Sequence, residues 1–335
     1  MLEFQRRVLR AELLDPRRGF ELARAPVEVR WDPLTRHSAR LVVSGALMPP
    51  NDFDLETFAQ ETQITCPFCS ECLEAQTPKL LAGICEDGRI RRGDAVLFPN
   101  LLSYAEHSSV SVYSPALHFL PLERMTPRLV ADNLAAQVAF DRAVLAADPD
   151  ACWVSINANH MLPSGSSLFH PHLQGSVDPV PTTMQQRLAE VPAAQFDAYL
   201  AAERAAGERY LGSSGRVTWL ASFAPLAPCE LRAFVPELAS PEQLDDALVE
   251  ELGAGIATAL NLYAELGFQS FNMAIYGAPP STPGYLLNLR LACRSNLRAG
   301  GYRSDATYYE RLHWEAAVDI TPEELAERAG RRFRR

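Results

Sequence analysis

The pattern of apolar positions changes between strand spacing and helical spacing in the same order twice along the chain. After Thr126-Pro127, apolar residues recur every three or four positions to about Ala147, which predicts a long helix with a Thr cap and Pro at its first position. A capping box at Ser240 and Gln243 predicts a second helix of similar length. Short apolar runs on both sides of each helix predict strands at 95–98, 109–113, 152–157, 217–223, 230–235, 271–276 and 285–291. This repeated order predicts an α+β fold built from two related halves.

The segments outside the repeat predict other elements. Residues 1–26 mix Leu, Val and Phe with many Arg and predict a short amphipathic helix as an N-terminal extension. Val27 to Val43 predicts two strands joined by the turn Asp32-Pro33-Leu34-Thr35, and residues 45–62 predict a loop. Residues 183–210 are rich in Ala, Gln and Glu and predict helices. The predicted division is an extension at 1–26, a first half at 27–185, a helical connector at 186–210 and a second half at 211–335.

Composition and charge narrow the class of protein. The 335 residues are 47% hydrophobic and 21% charged, which is typical of a globular protein and excludes a disordered chain. The formal net charge of −10 argues against non-specific binding to nucleic acid or to anionic membranes. The chain has no apolar run of the roughly 18 residues that span a bilayer and no secretory signal at its start. We therefore expect a cytoplasmic protein whose seven cysteines are thiols or metal ligands rather than disulfides.

The strongest chemical signal is His170-Pro171-His172-Leu173-Gln174. In an extended segment, alternation places both histidines and the glutamine on one face. One imidazole can then hold a metal or orient the loop while the other attacks an electrophile, and a carbonyl that fixes the tautomer removes the need for a base. The Ser and Gly residues at 164–167 offer hydroxyls and backbone N–H groups suited to phosphate oxygens. The alternative is a pair of structural histidines, because the motif is short.

The second signal is Cys66-Pro67-Phe68-Cys69, which can present two thiolates to zinc. Cys72 and Cys85 would complete an all-cysteine site, or His118 and His170 would complete a mixed one. Structural thiols and a redox pair are the alternatives, although the βαβ context of a thioredoxin-like pair is not evident here.

Together these motifs resemble the galactose-1-phosphate uridylyltransferase family, a branch of the histidine-triad superfamily. The resemblance extends over almost the whole chain and keeps the family's order. Its pieces are Arg30 to Thr35, Cys66 to Cys69, Phe98 to Asn100, Ser114 to His118, the spacing of Asn159, Gly165 and Ser167, His170 to Gln174, and Phe271 to Pro279.

The resemblance implies a fold and a set of roles. Each half would be an antiparallel sheet with helices, and the protein would be a homodimer. A structural zinc would be held by Cys66, Cys69, His118 and His170, with His107 as the alternative to His118. His172 would be the nucleophile, and Gln174 would hydrogen-bond the transferred phosphoryl group. The implied nucleotide-binding residues are Phe98, Asn100, Asn159, Gly165 and Ser167.

The second half departs from the family pattern. Asn288 and Arg290 stand where the transferases carry paired histidines on a late strand, and Tyr276 stands where another ligand would lie. We therefore expect no second metal site. The cations Arg290, Arg294, Arg298 and Arg303 form either a site for the phosphate of an acceptor or a solvated basic face.

These observations predict a nucleotidyltransferase. A nucleoside monophosphate would pass from a nucleotide sugar to a sugar 1-phosphate through a covalent nucleotidyl-His172. A first alternative is a phosphorylase that cleaves a nucleotide sugar or a dinucleoside polyphosphate with inorganic phosphate as acceptor. A second is a non-catalytic nucleotide-binding protein, which would have no need of a nucleophile.

Overall fold

The structure, a computed structural model, describes residues 2–42, 53–298 and 307–334. The strands in these ranges are β1 (Arg6–Asp15), β2 (Glu21–Trp31), β3 (Ser38–Val42), β4 (Ile90–Arg92), β5 (Ala95–Pro99), β6 (His107–Val112), β7 (Trp153–His160), β8 (His172–Asp178), β9 (Tyr210–Ser214), β10 (Val217–Ala221), β11 (Leu231–Val235), β12 (Phe271–Tyr276), β13 (Leu287–Cys293) and β14 (Ala316–Val318). The α-helices are α1 (Leu55–Gln63), α2 (Leu73–Gln76), α3 (Pro127–Ala147), α4 (Thr183–Ala189), α5 (Ala193–Ala206), α6 (Asp246–Glu265), α7 (Tyr308–Leu312) and α8 (Pro322–Ala329). The alternation of strands and helices confirms the predicted α+β class.

The two predicted halves join edge to edge in one ten-stranded sheet of order β4-β5-β6-β8-β7-β12-β13-β11-β10-β9. All neighbouring strands in this sheet are antiparallel. The first five positions come from one half and the last five from the other, in mirrored order, and the halves meet where β7 pairs with β12. The predicted duplication is therefore visible as an approximate two-fold relation about the β7–β12 seam.

The register at the seam identifies matching positions in the two halves. Asn157 of β7 pairs with Ala274 of β12 across the seam. On the outer sides, Asn157 pairs with Gln174 of β8 and Ala274 pairs with Arg290 of β13. Gln174 and Arg290 are thus equivalent, and two residues earlier on the same strands His172 matches Asn288. The residues at these matching positions differ chemically: β8 carries an imidazole and an amide, whereas β13 carries an amide and a guanidinium.

The two long helices pack together and cover one face of the sheet. Thr126 caps α3 through its side chain and Pro127 occupies the first turn, as predicted. The Ser240 capping box instead begins a short 3-10 helix at Pro241–Gln243, and α6 starts after a second cap at Asp245. Buried side chains between these helices and the sheet form the largest core cluster, which includes Leu134, Val138, Leu173, Ile256, Leu260 and Leu289. Since Leu173 belongs to this core, alternation turns His172 and Gln174 to the opposite face.

The N-terminal extension is a β-hairpin, so the predicted helix at residues 1–26 is wrong. β1 and β2 pair along their whole length, from Arg6 opposite Arg30 to Asp15 opposite Glu21. From residue 23 to residue 31 every second residue is apolar (Ala23, Ala25, Val27, Val29 and Trp31), which matches strand spacing better than helical spacing. The boundary predicted at residue 26 therefore falls inside β2. This hairpin joins β3 and β14 in a four-stranded sheet, in which β14 runs parallel to β3.

Two other segments complete the frame around the site. The connector is helical as predicted, with α4 and α5 packed on the second half of the sheet through Leu188, Phe196 and Tyr199. The predicted loop at 45–62 is wrong from residue 55 onward, because α1 begins there with Asp54 as its cap. The part of that loop at 45–52 lies outside the described residues. No helix among the described residues is long and apolar enough to cross a membrane.

Candidate active site

His172 stands at the start of β8 with one ring nitrogen tied to the backbone. Its Nδ1 lies 2.8 Å from the carbonyl oxygen of His170. A carbonyl only accepts, so Nδ1 carries the proton and Nε2 keeps its lone pair. Burial lowers the pKa of His172, which favours the neutral ring. This is the fixed tautomer that an imidazole nucleophile needs.

Polar side chains line the sheet face around His172. Gln174, two residues along β8, is half-buried on the same face and pairs in register with Asn157. Continued by two residues, that register places Asn159 of β7 opposite His172. On the other face, Gly175 leaves room for α3, because a Cβ there would lie 2.3 Å from Oε1 of Gln137. This close approach lets β8 pack directly on the helix behind the reactive face.

The Ser/Gly segment before the histidines forms a tight turn. Leu162–Ser164 is a 3-10 turn that ends at Gly165, whose φ of +95° lies in the left-handed region that favours glycine. The N–H of Gly165 donates to the carbonyl of Leu162 at 3.0 Å. That N–H is therefore engaged, and the role we expected for it as a phosphate donor is corrected to one of shaping the turn. Ser167 is exposed beside it.

Four predicted metal ligands come together next to His172. The ligand atoms of Cys66, Cys69, His118 and His170 all lie within 4.8 Å of one another, and all four residues are buried. His170 directs Nδ1 at both thiols, 3.6 Å from Sγ of Cys66 and 3.7 Å from Sγ of Cys69. His118 directs Nδ1 at Cys69 with a separation of 3.4 Å. The group can hold a metal ion with two sulfur and two nitrogen ligands.

The far nitrogens of both histidines are held by hydrogen bonds. Nε2 of His170 donates to the carbonyl of Ser114 at 3.0 Å. Nε2 of His118 lies 3.0 Å from Oγ1 of Thr62 on α1, whose hydroxyl donates to helix carbonyls. Such bonds orient metal-binding imidazoles and fix the tautomer that presents a lone pair to the metal. Sequence reasoning missed Thr62, because α1 was predicted to be a loop.

The electrostatics of this group fit a divalent cation. Burial, reinforced by the neighbouring Cys66 thiol, raises the pKa of Cys69 to about 12. Burial lowers the pKa of His170 to about 3 and also lowers that of His118. Two crowded, buried thiols and two neutral imidazoles are a set that a cation stabilises by binding thiolates. Because four protein ligands fill a tetrahedral shell, a bound zinc ion would be structural.

The other predicted ligands lie elsewhere. His107 is not part of the four-residue group and its Nε2 pairs with Asp148 at 2.8 Å, so the geometry favours His118. Cys85 donates from Sγ to the carbonyl of Arg89, and Cys72 is not part of the four-residue group. None of the seven cysteines forms a disulfide in the structure.

Phe68 connects the turn at Cys66–Cys69 to His172. Its ring lies edge-on to His172, with centroids 5.5 Å apart, and to His170 at 6.1 Å. Phe98 packs behind it at 5.1 Å and is only 1% exposed. Phe98 therefore supports Phe68, and its contact with a nucleotide stays a prediction. Asn100 follows β5 and its Oδ1 accepts the N–H of Leu102, so its predicted nucleotide contact also stays a prediction.

The matching position in the second half is a buried ion cluster. Arg290 is 4% exposed and pairs with Glu230, and its Nη2 lies 3.5 Å from Asp32. Arg232, directly opposite Arg290 on β11, donates to Asp32 at 3.0 Å. Arg290 is therefore neither a surface cation nor a free phosphate ligand, and its assignment to an acceptor site is wrong. β13 turns this side chain to the sheet face that α4 and α5 cover, where carboxylates neutralise it.

The remaining predicted cations have separate positions. Arg294 follows β13, and its Nη1 donates to Oδ1 of Asn272 at 2.8 Å. Arg298 is half-buried, and Arg303 lies outside the described residues. Asn288 is buried and Tyr276 lies opposite it in register, as their places on β13 and β12 predict. The predicted absence of a second metal site stays a prediction.

Comparison with known proteins defines the fold. No family model matches the chain. The chain is 29% identical to a protein of Archaeoglobus fulgidus described as uncharacterized, over 97% of both chains. The solved structures that it resembles include an ADP-glucose phosphorylase, a galT-like protein of Arabidopsis thaliana and a uridylyltransferase, and the fold predicted from the motifs is confirmed.

Two solved structures give the extent of the match. An ADP-glucose phosphorylase from Arabidopsis thaliana with bound ADP-glucose has a TM-score of 0.66 and 18% sequence identity, over 90% of this chain and 98% of that one. A uridylyltransferase has a TM-score of 0.59 and 19% identity, over 91% of this chain and 98% of that one. At these identities the likeness defines the fold, and the reaction must be argued from the site.

Proposed function

We propose that this protein is a nucleotidyltransferase that moves a nucleoside monophosphate from a nucleotide sugar to a sugar 1-phosphate through a covalent nucleotidyl-His172. The observation that carries the proposal is the 2.8 Å bond from Nδ1 of His172 to the His170 carbonyl. It leaves Nε2 as the only nucleophilic atom of the ring. His170 has its own Nδ1 directed at the cysteines and Nε2 at a carbonyl, so it cannot take the same role.

The transfer consists of two displacements at phosphorus. In the first, Nε2 of His172 attacks the α-phosphorus of the nucleotide sugar, a P–N bond forms and the P–O bond to the sugar phosphate breaks. The ring becomes positively charged, and the His170 carbonyl accepts a stronger hydrogen bond from Nδ1–H. In the second, a phosphate oxygen of the acceptor attacks, the P–N bond breaks and the neutral ring returns. No general base is needed because Nε2 is unprotonated at the start.

Neighbouring donors stabilise the phosphoryl oxygens as charge develops on them. The amide of Gln174 lies on the reactive face two residues from the nucleophile and supplies one donor. Asn159 and Ser167 supply others from β7 and the turn. Bound zinc would supply a fixed cross-link among Cys66, Cys69, His118 and His170, which holds Phe68 and the start of β8 in place.

The experiment replaces His172 by Gly and measures turnover of UDP-glucose and ADP-glucose with hexose 1-phosphates. We expect a rate loss of more than about a thousandfold, because the covalent step is removed. Added imidazole should restore part of the rate by occupying the vacated volume. Zinc content should stay at the wild-type level. A variant that keeps more than about a tenth of the rate, a loss under about 1.4 kcal/mol of barrier, would refute the nucleophile.

The acceptor is tested in the same assay. Isotope exchange between two sugar phosphates, without inorganic phosphate, is expected for the transferase. Product formation that needs only inorganic phosphate would make the protein a phosphorylase instead. Binding of nucleotide with no turnover and no exchange would make it a non-catalytic binding protein.

We also propose that the protein acts in the cytoplasm as a zinc-containing homodimer, as the resemblance implies. The free thiols and the Cys/His group support a reducing compartment and a resident metal. Light scattering should give twice the 37.0 kDa chain mass, whereas a monomer at working concentration would contradict the dimer.

A further inference from the structure

A chain of polar contacts leads from the second half of the sheet to the reactive face of the first. Nη1 of Arg294 donates to Oδ1 of Asn272 at 2.8 Å. Nδ2 of Asn272 donates to Oδ1 of Asn159 at 2.6 Å and to the carbonyl of Ser164 at 3.0 Å. Asn272 and Asn159 are directly opposite each other in the β7–β12 register. The contacts cross the seam between the two halves.

The chemistry of the first member fixes the direction of every bond in the chain. A guanidinium only donates, so the atom of Asn272 that faces Arg294 is its oxygen. The amide nitrogen of Asn272 is then the end that faces Asn159, and the atom of Asn159 that receives it is its oxygen. The orientation of an asparagine amide is ordinarily ambiguous, but here a donor-only cation removes the ambiguity.

The consequence concerns the end of Asn159 that is left for a ligand. Its Oδ1 is engaged by Asn272, and its Nδ2 carries two N–H donors. Asn159 comes beside His172 in the register that pairs Asn157 with Gln174. An anionic phosphoryl group at His172 needs donors, and an amide turned the other way would present it with a carbonyl oxygen.

We propose that Asn272 and Arg294 are positioning residues that fix the amide of Asn159 as a hydrogen-bond donor to the phosphate of the nucleotide substrate. This inference rests on the proposed function, because it needs a nucleotide phosphate at His172. In this role Arg294 acts through two side chains, those of Asn272 and Asn159. The Asn272 bond to the Ser164 carbonyl also ties the Ser/Gly turn to the second half. The role of Arg294 as an acceptor-phosphate ligand stays a separate prediction.

The test is a double-mutant cycle on nucleotide binding, measured by calorimetry with UMP and AMP, and with uridine and adenosine as ligands that lack the phosphate. Asn272→Ala should weaken binding of the preferred monophosphate about tenfold, the cost of one hydrogen bond to a charged group, and leave the matching nucleoside unchanged. Asn159→Ala should give a similar loss. In the Asn159→Ala background, Asn272→Ala should add nothing, since its target is gone.

A second pair of variants separates hydrogen-bond direction from bulk and fold. Arg294→Lys keeps a donor-only cation and should stay within about threefold of the wild type, whereas Arg294→Met should behave like Asn272→Ala. Melting temperature and zinc content report on folding in every variant. Full additivity of the two asparagine variants, or equal losses for monophosphate and nucleoside, would overturn the inference while leaving the proposed function intact. A wild-type protein that binds neither monophosphate would contradict the proposed function itself.

Discussion

Matching positions on β8 and β13 carry opposite solutions to the burial of polar side chains. On β8, His172 and Gln174 face a surface where neutral donors and an imidazole lone pair are available to a ligand. On β13, the matching Asn288 and Arg290 are closed beneath α4 and α5, and Arg290 is neutralised by Glu230 and Asp32. The first half keeps reactive atoms unpaired, whereas the second uses its polar groups for internal pairing.

The two halves of the duplicated fold therefore use their polar side chains differently. The first half brings together the thiols of Cys66 and Cys69 and the imidazoles of His118 and His170, which can hold a cation. The ion cluster of the second half collects guanidinium and carboxylate groups that neutralise one another, and Asp32 brings the turn after β2 into that cluster. In the function that we propose, the first half supplies the chemistry, while the ion cluster of the second half links the N-terminal sheet to the main sheet. The proposed role of Asn272 at the seam would let the second half orient a donor in the first.

The largest effect is expected from a substitution that disrupts the metal group of Cys66, Cys69, His118 and His170. Cys69→Ser removes one of two thiolates, so metal content should fall from one zinc per chain to near zero. The free energy of unfolding should fall by more than about 5 kcal/mol, because binding energy of a structural zinc is folding energy. Elemental analysis and chemical denaturation check this. Cys72→Ser, at a half-buried thiol outside the group, is the control and should change neither quantity. A fully metallated and equally stable Cys69→Ser would contradict the assignment.

The next largest effect is expected from a substitution that disrupts the buried ion cluster of Arg290, Arg232, Glu230 and Asp32. Arg290→Met leaves Glu230 and Asp32 buried with one cation fewer and should cost about 3–5 kcal/mol of unfolding free energy. Zinc content should be unchanged, since no metal ligand is touched. Arg216→Met, in an exposed pair with Asp245, should cost less than about 1 kcal/mol. Loss of zinc in Arg290→Met would contradict this expectation, because it would mean that metal binding in the first half depends on the ion cluster in the second.

A smaller effect concerns the hydrogen bond behind the metal group. Thr62→Val removes the oxygen that orients His118 and should weaken zinc affinity about 10- to 100-fold, measured by competition with a chelator. Thr65→Val makes the same change at an exposed position between α1 and Cys66 and serves as the control. Equal affinities for the two variants would exclude a role for Thr62.

The smallest effect is a pH dependence of the ion cluster. Burial alone would raise the pKa of Asp32, but Arg232 and the other neighbours outweigh burial and hold it below 3.8. A lowered pKa in the folded state stabilises the fold above about pH 4, and this contribution is lost as the pH falls. The stability difference between wild type and Asp32→Asn should therefore narrow below pH 4, by at most about 1.4 kcal/mol per pH unit. A constant difference from pH 6 to pH 3 would contradict this role for Asp32.

The sequence predicted the elements whose signals are local. The Thr126-Pro127 cap and the Cys-x-x-Cys turn depend on neighbouring residues, and both are confirmed in the structure. The metal group could be predicted because the motifs occur in the family's order. The prediction of the N-terminal helix was wrong because the apolar alternation of an exposed hairpin is weak. The hairpin is defined by the pairing of β1 with β2, from Arg6 opposite Arg30 to Asp15 opposite Glu21.

Contacts between residues that are far apart in the chain could not be predicted from local sequence patterns. Arg290 resembled part of a surface cluster because arginines recur after it, but its partners Asp32 and Glu230 are 258 and 60 residues away in the chain. Thr62 belongs to no motif, and the motif that contains Asn272 gave this residue no role; each acquires one only through a residue that another element positions. Register and burial, which depend on the whole fold, decide these roles.

The central claim is that one atom, Nε2 of His172, is the nucleophile and that its matching position has no such role. The most direct measurement is the intact mass of the protein after rapid mixing with UDP-glucose or ADP-glucose, followed by peptide mapping. We predict a single added nucleoside monophosphate per chain, on the peptide that contains His172. Peptides from β13 should carry no adduct, either in the wild type or in the Asn288→His variant. An adduct on another residue, or full adduct formation by His172→Gly, would contradict it.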